Sequence, residues 1–244
     1  MREIELESLG LERVTAFGAH PDDCEFSAGG TLARLVDLGV EVSLVVCTDG
    51  SRGGRGVEDI ALVRSGEQER AAEELGVKRV QSLGRSDGEV VCDEDLRADV
   101  CRAIRENRPD LVLTHDPTTL WRRFGSRSFL GHTDHRATGQ AVLDAIYPRS
   151  GNPNFYPDQL VRGVEPWEPA HLWLFDSAQG DARVDISKTL DRKLAALACH
   201  ESQSGSAGGL VEAARRMASS GDGSAPSESF VAHRLRGARN RRSD

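Results

Sequence analysis

The sequence contains no apolar run that approaches the ~18–20 residues needed to cross a membrane, so it predicts no membrane span. Residues 1–12 are acidic and lack the apolar core of a secretory signal, which favours a cytoplasmic location. The 5 Cys are scattered without a CxxC pair, and such a set argues against a disulfide framework. The 31 Lys and Arg and 39 Asp and Glu give a net charge of -8, which argues against nucleic acid as a partner because phosphate binding needs excess positive charge.

The composition favours one sizeable domain. Of the 244 residues, 38% are hydrophobic and 29% are charged, which is enough for a buried core and a solvated surface. Residues 219–229 are rich in Gly and Ser, and the end of the chain is rich in Arg. We therefore predict a single domain over residues 1–244 with a flexible tail from about residue 219.

Apolar patterns alternate between strands and helices along the chain. Short apolar runs predict strands at residues 14–19, 41–48, 80–83, 111–114 and 171–175. Helical spacing predicts helices at residues 27–38, 58–75, 95–107, 136–146, 187–202 and 210–217. This alternation indicates an α/β fold, in which a mostly parallel sheet has helices on both faces. The Pro- and Gly-rich residues 149–169 predict a long loop over the ligand site.

A dense group of ionisable residues follows the first predicted strand. His20, Asp22, Asp23 and Glu25 lie within six residues of one another. Neighbouring carboxylates repel each other and resist burial unless a cation binds them. Pro21 fixes a backbone torsion and stiffens the loop. The segment therefore indicates a site for a divalent metal.

A second group, His132, Asp134 and His135, precedes the helix predicted at residues 136–146 and can complete such a site. In parallel sheets, ligands bind beyond the carboxyl ends of the strands. The residues that follow predicted strands at this edge are His20, Asp22, Asp23, Asp49 and His115. The pattern therefore predicts that both groups face one crevice.

A catalytic zinc has three protein ligands, typically His nitrogens and carboxylate oxygens, and keeps one open position. We predict that His20, Asp23 and His135 are the ligands of a Zn²⁺ ion. His115 is a rival for the third position because it also ends a strand. Other divalent metals remain open, since sites of His and carboxylate accept several ions.

The remaining residues of the two groups have predicted catalytic roles. Asp22 does not bind the metal and would accept a proton from the attacking water. His132 would polarise the substrate carbonyl or protonate the leaving amine. Asp134 would orient one of the two His beside it, as carboxylates near metal sites commonly do.

At the level of motifs, the chain resembles the PIG-L/LmbE-like zinc-dependent N-deacetylases. The resemblance rests on Ala19-His20-Pro21-Asp22-Asp23-x-Glu25, Thr48-Asp49-Gly50, Arg64-x-x-Glu67, Asp87-Gly88, Thr114-His115-x-Pro117, His132-x-Asp134-His135-Arg136-Ala137 and His200-x-Ser202-Gln203. It implies a Rossmann-like, three-layer α/β/α fold and hydrolysis of an acetamide, often on an N-acetylglucosamine conjugate.

The resemblance also implies which residues bind the substrate, a small N-acetylated sugar or sugar conjugate. Arg64 and Asp87 match positions that lie near the sugar in relatives. Asp49 and His115 belong to matching motifs and are predicted to line the same pocket. His200 matches a position that in some members approaches the site from a neighbouring subunit, which leaves a homo-oligomer open.

Two other functions must be weighed. Gly84-Arg85-Ser86-Asp87-Gly88 fits the elbow of a serine hydrolase, which requires a helix directly after Ser86. The loop Gly50-x-x-Gly53-Gly54-x-Gly56 could cradle a phosphate in a non-catalytic binder of sugars or nucleotides. That loop lacks both the Walker ending and the spacing of a dinucleotide fingerprint, so a metal-dependent N-deacetylase is the favoured interpretation.

Overall fold

The computed structural model describes residues 1–54, 56–124, 127–204, 209–219 and 224–235. Within them the chain forms ten strands: β1 (Arg2–Glu3), β2 (Arg13–Gly18), β3 (Glu41–Thr48), β4 (Arg79–Arg85), β5 (Leu111–His115), β6 (Trp121–Phe124), β7 (Arg127–Leu130), β8 (His171–Phe175), β9 (Ala182–Asp185) and β10 (Ser227–Arg234). The α-helices are α1 (Asp23–Asp37), α2 (Ile60–Leu75), α3 (Glu94–Asn107), α4 (Thr133–Asp144), α5 (Pro157–Val161), α6 (Leu190–Ala198), α7 (Glu201–Ser204) and α8 (Gly209–Ala218). A 3₁₀ turn (Leu6–Leu9) and a π-helical segment (Ala145–Ser150) complete the secondary structure.

Eight strands form one sheet in the order β1-β9-β10-β8-β5-β2-β3-β4, and β6 and β7 form a separate hairpin. The strands from β8 to β4 are parallel, whereas β10 runs antiparallel to both of its neighbours. From β2 the chain moves outward to β3 and β4 on one side and later to β5 and β8 on the other. The order therefore reverses between β2 and β5, and such a switch point is where α/β sheets open a crevice for ligands.

Helices cover both faces of the sheet because neighbouring strand residues point to opposite sides. In β3, Leu44 packs into the core on the side of α1 and α2, while Val45 packs into the core on the side of α3 and α4. Helix α6 packs on α1 and α2, and the π-helical segment packs on α3 and α4. The predicted α/β, Rossmann-like three-layer fold with a mostly parallel sheet is thus confirmed.

The predicted strands and helices agree closely with the observed ones, and the differences have physical causes. Strands β3 and β8 have the predicted bounds. Helix α1 begins four residues earlier than predicted, because Asp23 and Glu25 lie in its first turn, where negative charge is favourable. The single helix predicted at residues 187–202 is two helices, α6 and α7, separated at Cys199 and His200.

The prediction of a flexible tail from about residue 219 is wrong for residues 227–234. These residues form β10, which lies inside the sheet between β8 and β9. Phe230 is fully buried, and Glu228 is 4% exposed. The Arg-rich end of the chain after residue 235 lies outside the described residues.

The prediction that residues 149–169 form a loop over the ligand site is also wrong. This segment packs against α3, where the Arg105 side chain is 1% exposed. The guanidinium donates to the backbone oxygens of Arg149, Ser150, Asn152 and Phe155 and to Oε1 of Gln159, at 3.0 to 3.1 Å. The indole of Trp167 donates to the Pro109 oxygen, just before β5 begins, and so lies at the opposite edge from the crevice.

Replacing Arg105 should destabilise the fold strongly. Arg105→Met keeps the length of the side chain but leaves several buried carbonyl oxygens without a donor, which we expect to lower the free energy of unfolding by about 3 kcal/mol. Urea denaturation followed by circular dichroism measures the change. The control is Arg102→Met on the same helix, where the side chain is 39% exposed and the effect should stay within about 0.5 kcal/mol. Equal losses of unfolding free energy in the two variants would show that the hydrogen bonds of Arg105 to residues 149–159 do not stabilise the fold.

Among the described residues, no helix combines the length and the apolar character that a membrane span requires.

Candidate metal centre

The two groups of ionisable residues meet at the switch point. The chain leaves β2 at Gly18, turns through His20 and enters α1 at Asp23, while His115 ends the neighbouring strand β5. His132 is the N-cap of α4, and its Nδ1 accepts a hydrogen bond from the backbone N–H of Asp134 at 3.2 Å. The capping interaction places the α4 residue His135 over the end of β5, where its ring stacks on His115 with 3.9 Å between the ring centroids.

Asp23 lies at the centre of the cluster. Its Oδ2 accepts hydrogen bonds from the backbone N–H groups of Ala19 and His20 at 2.9 and 2.8 Å. Its Oδ1 is 3.2 Å from His135 Nε2, and its Oδ2 is 3.1 Å from His115 Nε2. Burial would raise the pKa of Asp23, but the charges and hydrogen bonds of His135 and His115 hold it well below its usual range. Asp23 is therefore held as a carboxylate facing two imidazoles.

His20 is oriented by carboxylates from two other elements. Its Nε2 is 3.1 Å from Asp87 Oδ1 and 3.2 Å from Asp134 Oδ2, whereas its Nδ1 is 3.5 Å from Asp23 Oδ2. Nε2 can thus donate a proton to either of two carboxylates, while Nδ1 faces Asp23. Asp134 was predicted to orient a neighbouring His, and the structure instead places its carboxylate against His20. Backbone N–H groups of Gly88 and Val90 hold that carboxylate at 2.7 and 3.3 Å.

Asp22 lies beside this cluster with an unusual backbone conformation. Its φ of 107° lies in the region that favours glycine, and its backbone N–H donates to Gln68 Oε1 at 3.2 Å. Arg64 Nη2 donates to Asp22 Oδ2 at 3.3 Å and to the Pro21 oxygen at 2.6 Å. Burial, and then the charge of Asp23, raise the pKa of Asp22 to about 8, although Arg64 opposes the shift. The side chain remains 15% exposed and so stays open to water.

Three overlapping groups of donor atoms could hold a metal ion, each with its atoms within 4.8 Å of one another: His20, His132 and His135; Asp23, His115 and His135; and His20, Asp87 and Asp134. Two of the three contain His135, and two contain His20. Among the described residues, the predicted set of His20, Asp23 and His135 is not itself one of these groups, although each of its members belongs to at least one of them. The cluster therefore supplies the nitrogen and carboxylate donors that a divalent ion of the zinc type prefers.

The electrostatics of the cluster fit a cation. Burial would lower the pKa of His20, yet the hydrogen bond to Asp23 and the charges of Asp23, Asp87 and Asp134 raise it to about 9. The same carboxylates that favour a positive imidazole would favour a bound cation at this position. His115 lies deeper, with 1% exposure, and its two ring nitrogens face Asp23 and Asp176. His20, at 8% exposure, lies nearer the open side of the cluster than His115, and the assignment of His20, Asp23 and His135 as the ligands stays a prediction.

The predicted substrate-binding residues have different surroundings. Asp87 is 6% exposed and contacts His20, and its Oδ2 accepts the backbone N–H of Arg52 at 3.0 Å. Asp49 Oδ1 accepts the backbone N–H groups of Ser51 and Asp87 at 2.9 and 3.2 Å, so it shapes the turn after β3. Arg64 is 3% exposed. These contacts orient residues of the cluster, and direct binding of the sugar by these side chains stays a prediction.

His200 was predicted to contact the substrate, and the structure buries it completely. Its Nε2 is 3.9 Å from Glu25 Oε2, beneath the first turn of α1. Burial, and then the charge of Arg64, lower the pKa of His200 to about 4. Direct contact with a substrate would require surrounding residues to move, so the predicted role of His200 is not supported within this chain.

Two further residues belong to the cluster that the motifs did not indicate. Asp176 directly follows β8, and its Oδ2 is 3.2 Å from His115 Nδ1, while its Oδ1 accepts from Ser27 and Arg122. Gln68 donates to Glu25 Oε1 at 2.5 Å in addition to accepting from Asp22. Asp176 could have been indicated by its position after a parallel strand, where ligands bind. Gln68 could have been indicated by its spacing of four residues from Arg64 on one helix.

Comparisons with known proteins agree with this geometry. The sequence profile described as GlcNAc-PI de-N-acetylase, PIG-L, matches residues 15–146. The diacetylchitobiose deacetylase of Thermococcus kodakarensis is 34% identical over 197 residues, covering 79% of this chain and 70% of that protein. A probable N-acetyl-alpha-D-glucosaminyl L-malate deacetylase 2 of Bacillus cereus is 32% identical over 195 residues, covering 75% of this chain and 80% of that protein.

A solved structure extends the similarity to the fold. The N,N'-diacetylchitobiose deacetylase of Pyrococcus horikoshii, complexed with its inhibitor MPG, superposes with a TM-score of 0.82 at 30% identity, covering 92% of this chain and 85% of that one. The profile match spans more than half of the chain and includes all residues of the three possible metal-binding groups, from His20 to His135. On these grounds, the chain belongs to the PIG-L family of de-N-acetylases.

Proposed function

We propose that this protein is a zinc-dependent hydrolase that removes the N-acetyl group from an amino sugar or its conjugate. The observation that carries the proposal is a carboxylate that is placed beside the candidate ligands without belonging to them. Asp22 adjoins Asp23 in sequence, yet its side chain turns to Arg64 while Asp23 faces the imidazoles. A metal-binding protein without hydrolytic activity needs no such second carboxylate.

In the proposed mechanism, His20, Asp23 and His135 would hold the metal. A divalent ion held there supplies Lewis acidity, which polarises the acetamide carbonyl and lowers the pKa of the attacking water. Asp22 accepts a proton from that water as its oxygen attacks the carbonyl carbon. The C–N bond then breaks, and the amine leaves with a proton while the acetyl group leaves as acetate.

We assign His132 a role at the carbonyl oxygen of the acetamide. Its Nδ1 accepts the Asp134 backbone N–H, so a proton on the neutral ring resides on Nε2. His132 lies edge-on to His20, with 4.6 Å between the ring centroids, and is exposed to the crevice. An Nε2–H donor at this position can stabilise the developing oxyanion. The leaving amine would take the proton that Asp22 removed from the water as the C–N bond breaks.

The surroundings of Ser86 and of the Gly-rich loop count against the serine hydrolase and the non-catalytic binder. After Ser86 the chain turns through residues 87–88, and the next helix begins only at Glu94, so the serine elbow is absent from this described stretch. In the Gly-rich loop, the N–H groups of Ser51 and Arg52 are bonded to the carboxylates of Asp49 and Asp87. Gly50 has a φ of +65°, and a Cβ added to it would lie 2.8 Å from Arg64 Nη1. The loop therefore packs directly against the Arg64 side chain, which leaves no space for a phosphate between them.

The proposal is tested by acetate release from protein stripped of metal and then reloaded. We expect turnover with Zn²⁺ on at least one member of a panel containing N-acetylglucosamine, N,N'-diacetylchitobiose and inositol-linked and malate-linked N-acetylglucosaminides. Ser86→Ala serves as the control and should retain full activity. Zinc bound without acetate from any substrate would contradict the deacetylase assignment, and equal rates without metal would contradict metal dependence.

Three further points stay predictions. The cytoplasmic location rests on the sequence, and so does the organisation of residues 1–244 as one domain. Assembly into a homo-oligomer would be measured by light scattering of the purified protein.

A further inference from the structure

Asp22 is held in a backbone conformation that residues with a side chain rarely adopt. Its φ is 107° and its ψ is -24°, in the region that favours glycine. A conformation of this kind persists only where the surrounding structure holds it in place. The direction in which the carboxylate leaves the backbone depends on these torsions, so the groups that fix them also aim the side chain that acts as the base in the proposed mechanism.

Helix α2 contacts both ends of the peptide group that precedes Asp22. Arg64 Nη2 donates to the Pro21 oxygen at 2.6 Å, and Gln68 Oε1 accepts the Asp22 N–H at 3.2 Å. The Pro21 oxygen and the Asp22 nitrogen belong to one planar unit, and their partners lie four residues, or about one helical turn, apart on α2. Arg64 is 3% exposed and Gln68 is 4% exposed, so both side chains are shielded from water. The peptide plane before Asp22 is therefore fixed from α2.

The peptide group that follows Asp22 is fixed from α1. Its oxygen, that of Asp22, accepts the backbone N–H of Phe26 at 2.9 Å and so joins the hydrogen bonds of the first turn of that helix. With both flanking peptide planes held, the φ and ψ of Asp22 are set by contacts with two different helices. Loss of the contact from Gln68 would allow the first plane to rotate and would redirect the carboxylate.

Gln68 is itself oriented by a second buried group. Its Nε2 donates to Glu25 Oε1 at 2.5 Å, and Glu25 is completely buried in the first turn of α1. A backbone N–H donates and an ionised carboxylate accepts, so only an amide with its oxygen towards Asp22 and its nitrogen towards Glu25 satisfies both partners. The Gln68 amide therefore bridges the carboxylate of Glu25 and the backbone of Asp22.

We propose that Gln68 is a positioning residue of the hydrolysis, which acts through the backbone of Asp22 to aim the Asp22 carboxylate at the attacking water. The inference rests on the proposed function, in which Asp22 takes the proton, and it adds to that function a residue outside the metal cluster. Arg64 holds the other end of the same peptide group but also contacts Asp22 Oδ2. Replacement of Gln68 therefore tests the backbone contact without removing a partner of the carboxylate.

Gln68→Leu keeps the approximate size of the side chain and removes both of its hydrogen bonds. We expect kcat to fall about 10- to 100-fold, because a displacement of about 1 Å at a reacting group can cost about 100-fold. KM and bound metal should stay at the wild-type level, because the two hydrogen bonds go to Asp22 and Glu25. The Asp22 amide proton should exchange with water about tenfold faster, which hydrogen exchange followed by NMR measures without reference to activity.

A second background separates positioning from a general effect on the fold. In Asp22→Asn the base is already lost, so the direction of this side chain no longer affects proton transfer. Adding Gln68→Leu to Asp22→Asn should therefore lower kcat by less than about twofold. A merely structural role would lower kcat by the same factor in both backgrounds, and that result would overturn the inference.

Exchange of the two bridging groups supplies a rescue. Gln68→Glu alone places two carboxylates against each other and should lower kcat at least as much as Gln68→Leu. Combined with Glu25→Gln, it restores the pattern, because the carboxylate at position 68 can accept from both the Asp22 N–H and the amide at position 25. The double variant should reach a kcat within about threefold of that of Glu25→Gln alone. A double variant no faster than Gln68→Glu would contradict the bridge.

The matched control is Glu69→Leu. Glu69 is the next residue of α2 and is exposed. This variant should keep the kcat, the KM and the Asp22 amide exchange of wild type. Unchanged kcat in Gln68→Leu, with acetate released by wild type, would overturn the positioning role alone. Absence of acetate release from the wild-type protein would instead overturn the proposed function, on which the inference depends.

Discussion

Asp22→Asn should lower kcat about 100- to 10,000-fold, the range that a positioned general base contributes, while the bound metal remains at the wild-type level. The amide is nearly isosteric with the carboxylate, and its oxygen can still accept from Arg64, so the loop before α1 should keep its conformation. What is lost is the ability to take a proton from the attacking water. The measurement is acetate release at saturating substrate, with metal content determined on the same preparation by mass spectrometry.

Asp37→Asn is the matched control for Asp22→Asn. Asp37 lies at the other end of α1, where its side chain is 54% exposed and pairs with Arg192. Its replacement should leave both turnover and metal content unchanged. A near-normal rate in Asp22→Asn at equal metal content would assign the base to another group, and loss of metal would place Asp22 among the ligands.

His20→Ala should weaken metal binding by more than about 100-fold, and His115→Ala by only about 10- to 100-fold. The second figure is the usual effect of removing a group that supports a ligand, and loss of a ligand itself should exceed it. The difference follows from the geometry, since His115 lies behind Asp23 and is held by Asp176, while His20 faces the more open side. Competition with a chromophoric zinc chelator measures both affinities without reference to activity.

The exposed His233 of β10 is the control for these two variants. His233→Ala should bind metal as wild type does. A larger loss in His115→Ala than in His20→Ala would assign the ligand set to Asp23, His115 and His135, which is the rival group that the structure also allows.

Much of the candidate site follows from local sequence. His20, Asp22 and Asp23 lie where a short apolar run ends, and His115 ends another such run, so one rule about parallel sheets predicts that they meet. In the structure His20, Asp23 and His115 lie close to one another and to His135, and their roles as ligands stay a prediction. The site is predictable to this extent because its residues are tied to strand ends, and strand ends are set by patterns only a few residues long.

The residues that the sequence did not indicate are those whose roles depend on contacts between distant segments. Asp176 follows a strand and Gln68 lies four residues after Arg64, but their contacts with the cluster form only when the end of β8 and α2 pack beside α1. Asp134 illustrates the same point, because its neighbours in sequence are two His while its carboxylate contacts His20, 114 residues away. Orientation of side chains within a cluster is therefore a property of packing.

Local sequence patterns predict the α/β class, the bounds of β3 and β8, and the two groups of candidate metal ligands, because each depends on periodicity or spacing within a short segment. Tertiary packing alone sets the place of β10, since its largely polar sequence becomes a sheet strand through pairing with β8 and β9. It also decided the course of residues 149–169, which the buried Arg105 holds against α3. In both cases the stabilising partners lie far away in sequence, and a local pattern carries no information about partners that the chain meets only on folding.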